Sequence, residues 1–291
     1  MTGESQTPTR AGFVALIGAP NAGKSTLINR LVGTKVSIVS HKVQTTRSTI
    51  RGIAMVGRSQ IVFVDTPGIF RPKRRLDRAM VGTAWGGARD ADIVALLVDA
   101  ASGLTDEARE IIGKLAEIHQ PKILLLNKID LIPRDRLLAL AQQANALLPF
   151  ERTFMISAAT GDGLDDLTAW LAGAVPAGPW LYPEDEVSDV PLRQLAAEIT
   201  REQLFERLHQ ELPYQTTVET DAWTEQKDGS VRVEQTIFVE RDSQKKIVVG
   251  KGGAAIKAIS MAARKEIAAL AETPIHLFLF VKVRENWADD P

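Results

Sequence analysis

No cysteine occurs among the 291 residues, so the chain can form no disulfide framework, no iron–sulfur cluster and no thiolate zinc site; the absence fits a reducing cytoplasm. Long hydrophobic runs are missing too. Apolar stretches such as Ile93–Val98 and Ile123–Leu126 fall far short of the roughly 20 residues a membrane-spanning helix needs. Histidine is scarce: His41, His119, His209 and His276 show no pair with metal-ligand spacing. Neither sign of charge dominates. Lys+Arg 35 against Asp+Glu 36 leaves a net charge of −1, which excludes a general attraction to nucleic acid or anionic lipid, so any basic surface must be local. Met1 to Arg10 is polar, and the short apolar run after it leads directly into a glycine-rich loop, which argues against a secretory leader.

What is present describes a globular chain of about two domains, 45% hydrophobic and 24% charged. Its first part alternates short apolar runs with amphipathic segments. The runs Phe13–Ile17, Ile61–Val64, Ile93–Val98, Ile123–Leu126 and Phe154–Ile156 are continuously apolar rather than alternating, as strands buried on both faces are. Helices are expected over Ser25–Leu31, Thr105–Ile118 and Arg134–Leu148. This order predicts an α/β domain with a doubly wound, mostly parallel sheet. Pro176, Pro179, Pro183 and Pro191, with Glu184-Asp185-Glu186 among them, then break all periodicity, which predicts a linker over 176–191 between a domain at 12–175 and another at 192–291. Residues 1–11 are expected to be a tail. The second domain is expected to read α-β-β-α-α-β, a smaller α+β unit, with Asp228-Gly229 as a hairpin turn between Thr216–Thr224 and Val231–Val239.

Gly18-Ala19-Pro20-Asn21-Ala22-Gly23-Lys24-Ser25 fits G-x-x-x-x-G-K-S between a strand and a helix. The glycines allow backbone N–H groups to face phosphates, the helix N-terminus adds positive potential, Lys24 neutralises β/γ oxygens, and the Ser25 hydroxyl suits Mg²⁺. Asp65-Thr66-Pro67-Gly68 leaves the second buried strand. There a carboxylate can hold the same metal through water, and the Gly68 N–H can meet a γ-phosphate. Asn127-Lys128-Ile129-Asp130 ends another strand; the Asp130 carboxylate can accept from guanine N1–H and its exocyclic amine, donors adenine lacks, which predicts GTP over ATP. Ser157-Ala158 follows the last strand, placed to support the base. Within Gln44-Thr45-Thr46-Arg47, Thr46 is assigned to complete the Mg²⁺ shell when the γ-phosphate is present, with Thr45 as the alternative.

These motifs in this order resemble translation-factor-class GTPases, and Thr45-Thr46-Arg47 with Asp65-Thr66-Pro67-Gly68 resembles the TrmE–Era-like branch. Many small GTPases place a glutamine after D-x-x-G to orient the attacking water; Ile69 stands here, so unaided turnover is expected to be slow. Asn21 matches the asparagine that, in potassium-stimulated members, helps bind K⁺ beside the β/γ oxygens. Lys24, Asn21 and Thr46 are therefore the expected catalytic set, with Arg47, Arg51 and Arg71 as alternatives to the cation.

In the second part, Val248 to Ile259 carries Gly250-Lys251-Gly252-Gly253 with aliphatic residues on both sides, the loop by which a KH module clamps single-stranded backbone. The pattern and the element order resemble a type II KH domain. From Arg241 to Lys265 seven basic residues face one acid, Asp242, and Lys245, Lys246, Lys251 and Lys257 are the expected phosphate contacts. Phe278 and Phe280 are expected to pack rather than to stack on bases. A GTPase domain followed by one type II KH domain resembles the Era family over nearly the whole chain. That resemblance implies binding of the 3′ end of 16S ribosomal RNA, assembly of the small ribosomal subunit, and a cytoplasmic monomer with peripheral association to the inner membrane. Two alternatives stay open: an RNA-binding factor for which GTP is a structural ligand, and a membrane-surface regulator using the same lysines.

Overall fold

The apolar runs assemble into one sheet: Ile61–Val64, Ile93–Val98 and Ile123–Leu126 are buried on both faces, whereas Phe154 and Met155 are half-buried in an edge strand. In the computed structural model, which describes residues 8–40, 49–70, 72, 75–208 and 212–285, the first unit comprises β1 (Arg10–Gly18), α1 (Lys24–Val32), β2 (Ile50–Val56), β3 (Ser59–Asp65), α2 (Arg75–Asp90), β4 (Ile93–Asp99), α3 (Asp106–Leu115), β5 (Lys122–Asn127), α4 (Arg134–Leu147), β6 (Arg152–Met155) and α5 (Leu164–Ala174). Strand order is β2-β3-β1-β4-β5-β6. Every neighbouring pair is parallel except β2 with β3. From central β1 the chain passes to the edge at β2, returns through β3 beside β1, then crosses to β4 on the other side, so the carboxyl end of β1 lies at the switch point where open α/β sheets bind ligands. Helix ends follow local chemistry: Thr105 accepts from the Ala108 N–H at the start of α3, with Asp106 and Glu107 in the first turn and Lys114 in the last.

β2 and α2 had no distinct signal in the apolar pattern. β2 is an edge strand with half-buried residues, and α2 carries Gly82, Gly86 and Gly87, which dilute its amphipathic stripe.

The described residues divide into two compact units, one ending at Asp189 and the other beginning at Val190; the short stretch from Ile38 groups with the second. Most of the expected linker is therefore a built part of the first unit. Ala11 N–H donates to Pro176 O, and Ile53 N–H donates to Val187 O. Ser188 Oγ donates to Arg51 O, and Arg51 pairs with Asp189 at 2.8 Å. Buried Gln60 accepts the Leu181 and Tyr182 N–H groups at 2.8 and 3.0 Å and donates to Tyr182 O at 2.8 Å. Proline-rich composition breaks helix and strand, yet these residues still satisfy the open edge of β2.

The second unit comprises α6 (Leu192–Arg207), β7 (Thr216–Glu225), β8 (Val231–Val239), α7 (Asp242–Val249), α8 (Ala254–Ala271) and β9 (Ile275–Val283). Its sheet runs β7-β8-β9, antiparallel then parallel. Leu195, Ile199, Val233, Ala263, Ile267 and Leu277 form one buried cluster and Leu204, Val218, Ile237, Val248 and Ile259 another. Phe278 and Phe280 alternate with the cluster residues Ile275 and Leu277 and so lie on the opposite face of the sheet. The expectation that Phe278 and Phe280 pack is corrected accordingly: they are 42% and 46% exposed, and the Arg232 guanidinium lies 4.4 Å from the Phe278 ring centroid. Among the described residues, no helix is long and apolar enough to cross a membrane.

Candidate functional site

The phosphate loop follows directly from β1, and its geometry depends on left-handed backbone at Asn21 (φ 61°) and Gly23 (φ 99°). A side chain at Gly23 would meet Asn127 Nδ2 at 2.3 Å, so glycine there is required by both conformation and space. Lys24 Nζ donates to Gly18 O and Ala19 O, each at 3.1 Å. Burial pulls the Lys24 ammonium down to about 8, an effect the nearby Asp65 charge partly offsets.

Asp65 ends β3 wholly buried. Its Oδ2 accepts from Ser25 Oγ at 2.9 Å and from Ser37 Oγ at 2.8 Å. A hydroxyl and a carboxylate converging in this way form a hard oxygen donor set that suits Mg²⁺. Thr66 Oγ1 donates to Leu16 O at 2.7 Å, and Ile69 N–H donates to Gly18 O at 3.0 Å, drawing the Asp65–Gly68 loop onto the phosphate loop. The Ile69 side chain is buried in the core. Thr46, with Gln44, Thr45, Arg47 and Arg71, lies outside the described residues.

One side chain brings three motifs together. Asn127 Nδ2 donates to Ala22 O at 2.8 Å, and Asn127 Oδ1 accepts from Ala158 N–H at 2.9 Å, tying the phosphate loop to the 157–158 loop. Ile129 N–H donates to Ile156 O at 3.3 Å. Lys128 takes a left-handed conformation (φ 66°), and its ammonium reaches Asp99 Oδ2 at 2.7 Å. Burial by itself would raise the Asp99 carboxyl, but Lys128, the Ala101 N–H and Ser102 outweigh it and hold it below the usual range. Asp130 is exposed beside the turn.

Sequence reasoning missed Asp99, Ser37 and Asn29. Asp99 did carry a signal: like Asp65 and Asn127, it is a polar residue closing a buried strand.

In the second unit, α7 and α8 flank the glycine loop. Gly250 (φ 74°) packs so tightly that a Cβ would lie 2.7 Å from that of Ala255, whereas Gly252 (φ 60°) has nothing within 4 Å. Lys245, Lys246, Lys251 and Lys257 are exposed around it, and Gly253 (φ 78°) precedes the first residue of α8. Ile247, 57% exposed, adds an apolar surface that the charge pattern did not reveal. This is a loop open to close approach by a polyanion's backbone.

A family model described as a 50S ribosome-binding GTPase matches residues 13–128, and a KH-domain model matches 211–288. GTPase Era of Rhizobium meliloti (strain 1021) is 68% identical over 290 residues, covering 100% of this chain and 93% of its own length. GTPase Era of Bradyrhizobium sp. (strain BTAi1) is 69% identical over 283 residues, covering 97% and 92%. The chain belongs to the Era family of GTPases. Two solved Era structures agree in fold. Era in complex with MgGDPNP and nucleotides 1506–1542 of 16S ribosomal RNA is 36% identical with a TM-score of 0.93, covering 97% of this chain and 96% of that one. An Aquifex aeolicus Era variant bound to GDP and AlF4⁻ gives the same identity and TM-score, covering 97% of each. The expected fold class, a phosphate-loop GTPase domain with a mostly parallel sheet followed by a KH domain, is thus the fold of this Era-family chain.

Proposed function

We propose that this chain is a Mg²⁺-dependent GTPase switch whose KH domain binds 16S ribosomal RNA near its 3′ end and which acts in assembly of the small ribosomal subunit. The bridge made by Asn127 carries the nucleotide half of this reading, since it sets the phosphate loop, the base-reading turn and the 157–158 loop in one place. Gly18 to Ser25 would cradle the phosphates, with Lys24 supplying a buried positive charge. Asp65-Thr66-Pro67-Gly68 and Ile69 would border the γ-phosphate, while Asn127 to Asp130 with Ser157-Ala158 would hold guanine. Ser25, Asp65 and Thr46 would hold Mg²⁺, which when bound neutralises charge between β- and γ-phosphates. Phosphoryl transfer to water then needs a positioned water and further positive charge. Ile69, turned into the core, supplies neither, so we assign the charge to K⁺ held with the help of exposed Asn21.

Gly250, Gly252 and Gly253 with Lys245, Lys246, Lys251 and Lys257 would clamp the RNA backbone; the solved Era complex with 16S nucleotides supports RNA as the ligand. The protein would work in the cytoplasm as a monomer, with peripheral contact to the inner membrane.

Burial of Ile69 also favours a second reading, in which GTP is a structural ligand and turnover is incidental. The two part in one assay: GTP turnover by the full chain, with and without an oligonucleotide of the 16S 3′ end, in potassium and in sodium chloride at matched ionic strength. A switch is expected to turn over slowly alone, faster with RNA, and faster in potassium. Negligible turnover under every condition would support the structural-ligand reading, and equal rates in the two salts would remove the potassium assignment.

A further inference from the structure

Ser37 belongs to none of the nucleotide motifs, yet it is wholly buried and bound on every side. Its N–H and that of Val36 both donate to Asn29 Oδ1, at 2.9 and 2.8 Å. Asn29 Nδ2 returns a bond to Ser37 O at 2.7 Å. Three bonds from one α1 side chain thus fix the backbone where the segment leading to Thr46 begins. The Ser37 hydroxyl then donates to Asp65 Oδ2 at 2.8 Å, the oxygen that also accepts from Ser25 Oγ.

A carboxylate that serves a cation must keep its oxygens aimed, and in a buried, low-dielectric setting a fixed hydroxyl donor does this more firmly than water can. Ser25 cannot do it alone, because its own oxygen belongs to the cation's donor set. Ser37, fastened by Asn29 to the helix that opens at Lys24, is a donor with no other duty. It also joins the phosphate-loop helix, the root of the Thr46 segment and the metal carboxylate in one chain of bonds.

We propose that Ser37 and Asn29 are positioning residues for the Mg²⁺–nucleotide site, Ser37 orienting Asp65 and Asn29 holding Ser37, and that together they set how strongly Mg²⁺ retards nucleotide release. This inference rests on the reading of Ser25 and Asp65 as the metal's donors.

The test measures release of a fluorescent GDP analogue from full-length protein across a range of free Mg²⁺ concentrations and in EDTA. For Ser37→Ala the Mg²⁺ concentration giving half-maximal slowing is expected to rise about tenfold, as loss of outer hydrogen bonds to a metal ligand typically does, while release in EDTA stays within about twofold of wild type. Ser37→Cys, nearly the same size but a weak donor, is expected to fall between the two and keeps the test informative should Ser37→Ala fold poorly. Asn29→Ala is expected to shift the midpoint in the same direction. An unchanged Mg²⁺ midpoint in Ser37→Ala, or an equal acceleration in EDTA and in Mg²⁺, would overturn the proposal and leave Ser37 a packing residue. If Mg²⁺ fails to slow release even from wild type, it is the underlying metal-site reading that falls.

Discussion

Lys24 shows how a single residue's setting becomes a functional quantity. Its ammonium is buried among backbone carbonyls and titrates at about 8 rather than 10.5. Because the folded value lies below the unfolded one, the unfolded chain binds more protons between about pH 8 and 10.5, so this group's contribution to stability rises with pH through that window. Nucleotide binding has the opposite sign, since phosphates need the charged form. GDP affinity of the free protein is expected to be level from pH 7 to about 8 and to fall roughly tenfold by pH 9. Lys24→Arg, always charged, should abolish that fall at whatever affinity it retains. A titration series from pH 7 to 9 checks this, and a level wild-type profile would show that Lys24 keeps an ordinary pKa.

Among the elements, the segment after α5 is the least expected. Its prolines exclude helix and strand, but Gln60 turns it into a strap across the β2 edge with three side-chain bonds. Gln60→Ala would leave two N–H groups and one carbonyl to find water. A loss of about 1–3 kcal/mol is expected, read by urea denaturation, with faster proteolytic cleavage near Leu181. A cleavage rate equal to wild type would mean that the prolines alone hold the strap. Ile93–Val98 is continuously apolar and buried on both faces, and its strand was legible; β2 lies at the edge with Arg51 and Gly52 interrupting its apolar residues, and had no such signature.

For the whole molecule, two units with separate cores imply separable functions. Gly252→Asp would add a bulky, negative side chain at φ 60° where the loop is otherwise open. RNA affinity is expected to vanish, along with any RNA-stimulated turnover, while GDP affinity stays unchanged. Replacing Lys245 and Lys246 should instead weaken binding evenly across RNA sequences, lowering the salt slope by roughly 0.7 for each phosphate no longer neutralised. Binding titrations at several salt concentrations check both variants; full RNA affinity in folded Gly252→Asp would place the RNA surface elsewhere.

Legible in the residues alone were the phosphate loop, the Asp65 and Asp130 motifs, the KH glycine loop and most of the strand and helix order, though not β2 or α2, because each legible feature depends on residue types at short, fixed spacings. The family was legible there as well. Left to the folded chain are bonds between partners distant in sequence: Asn127 joins Ala22 to Ala158, Asp99 takes Lys128, Ser37 reaches Asp65, and Gln60 holds the strap. Phe278 and Phe280 mark the same boundary. Alternation along β9 showed that they share a face, but whether a second layer covers that face is settled only by where the helices pack, since period two distinguishes the two sides of a strand and does not say which one is solvated.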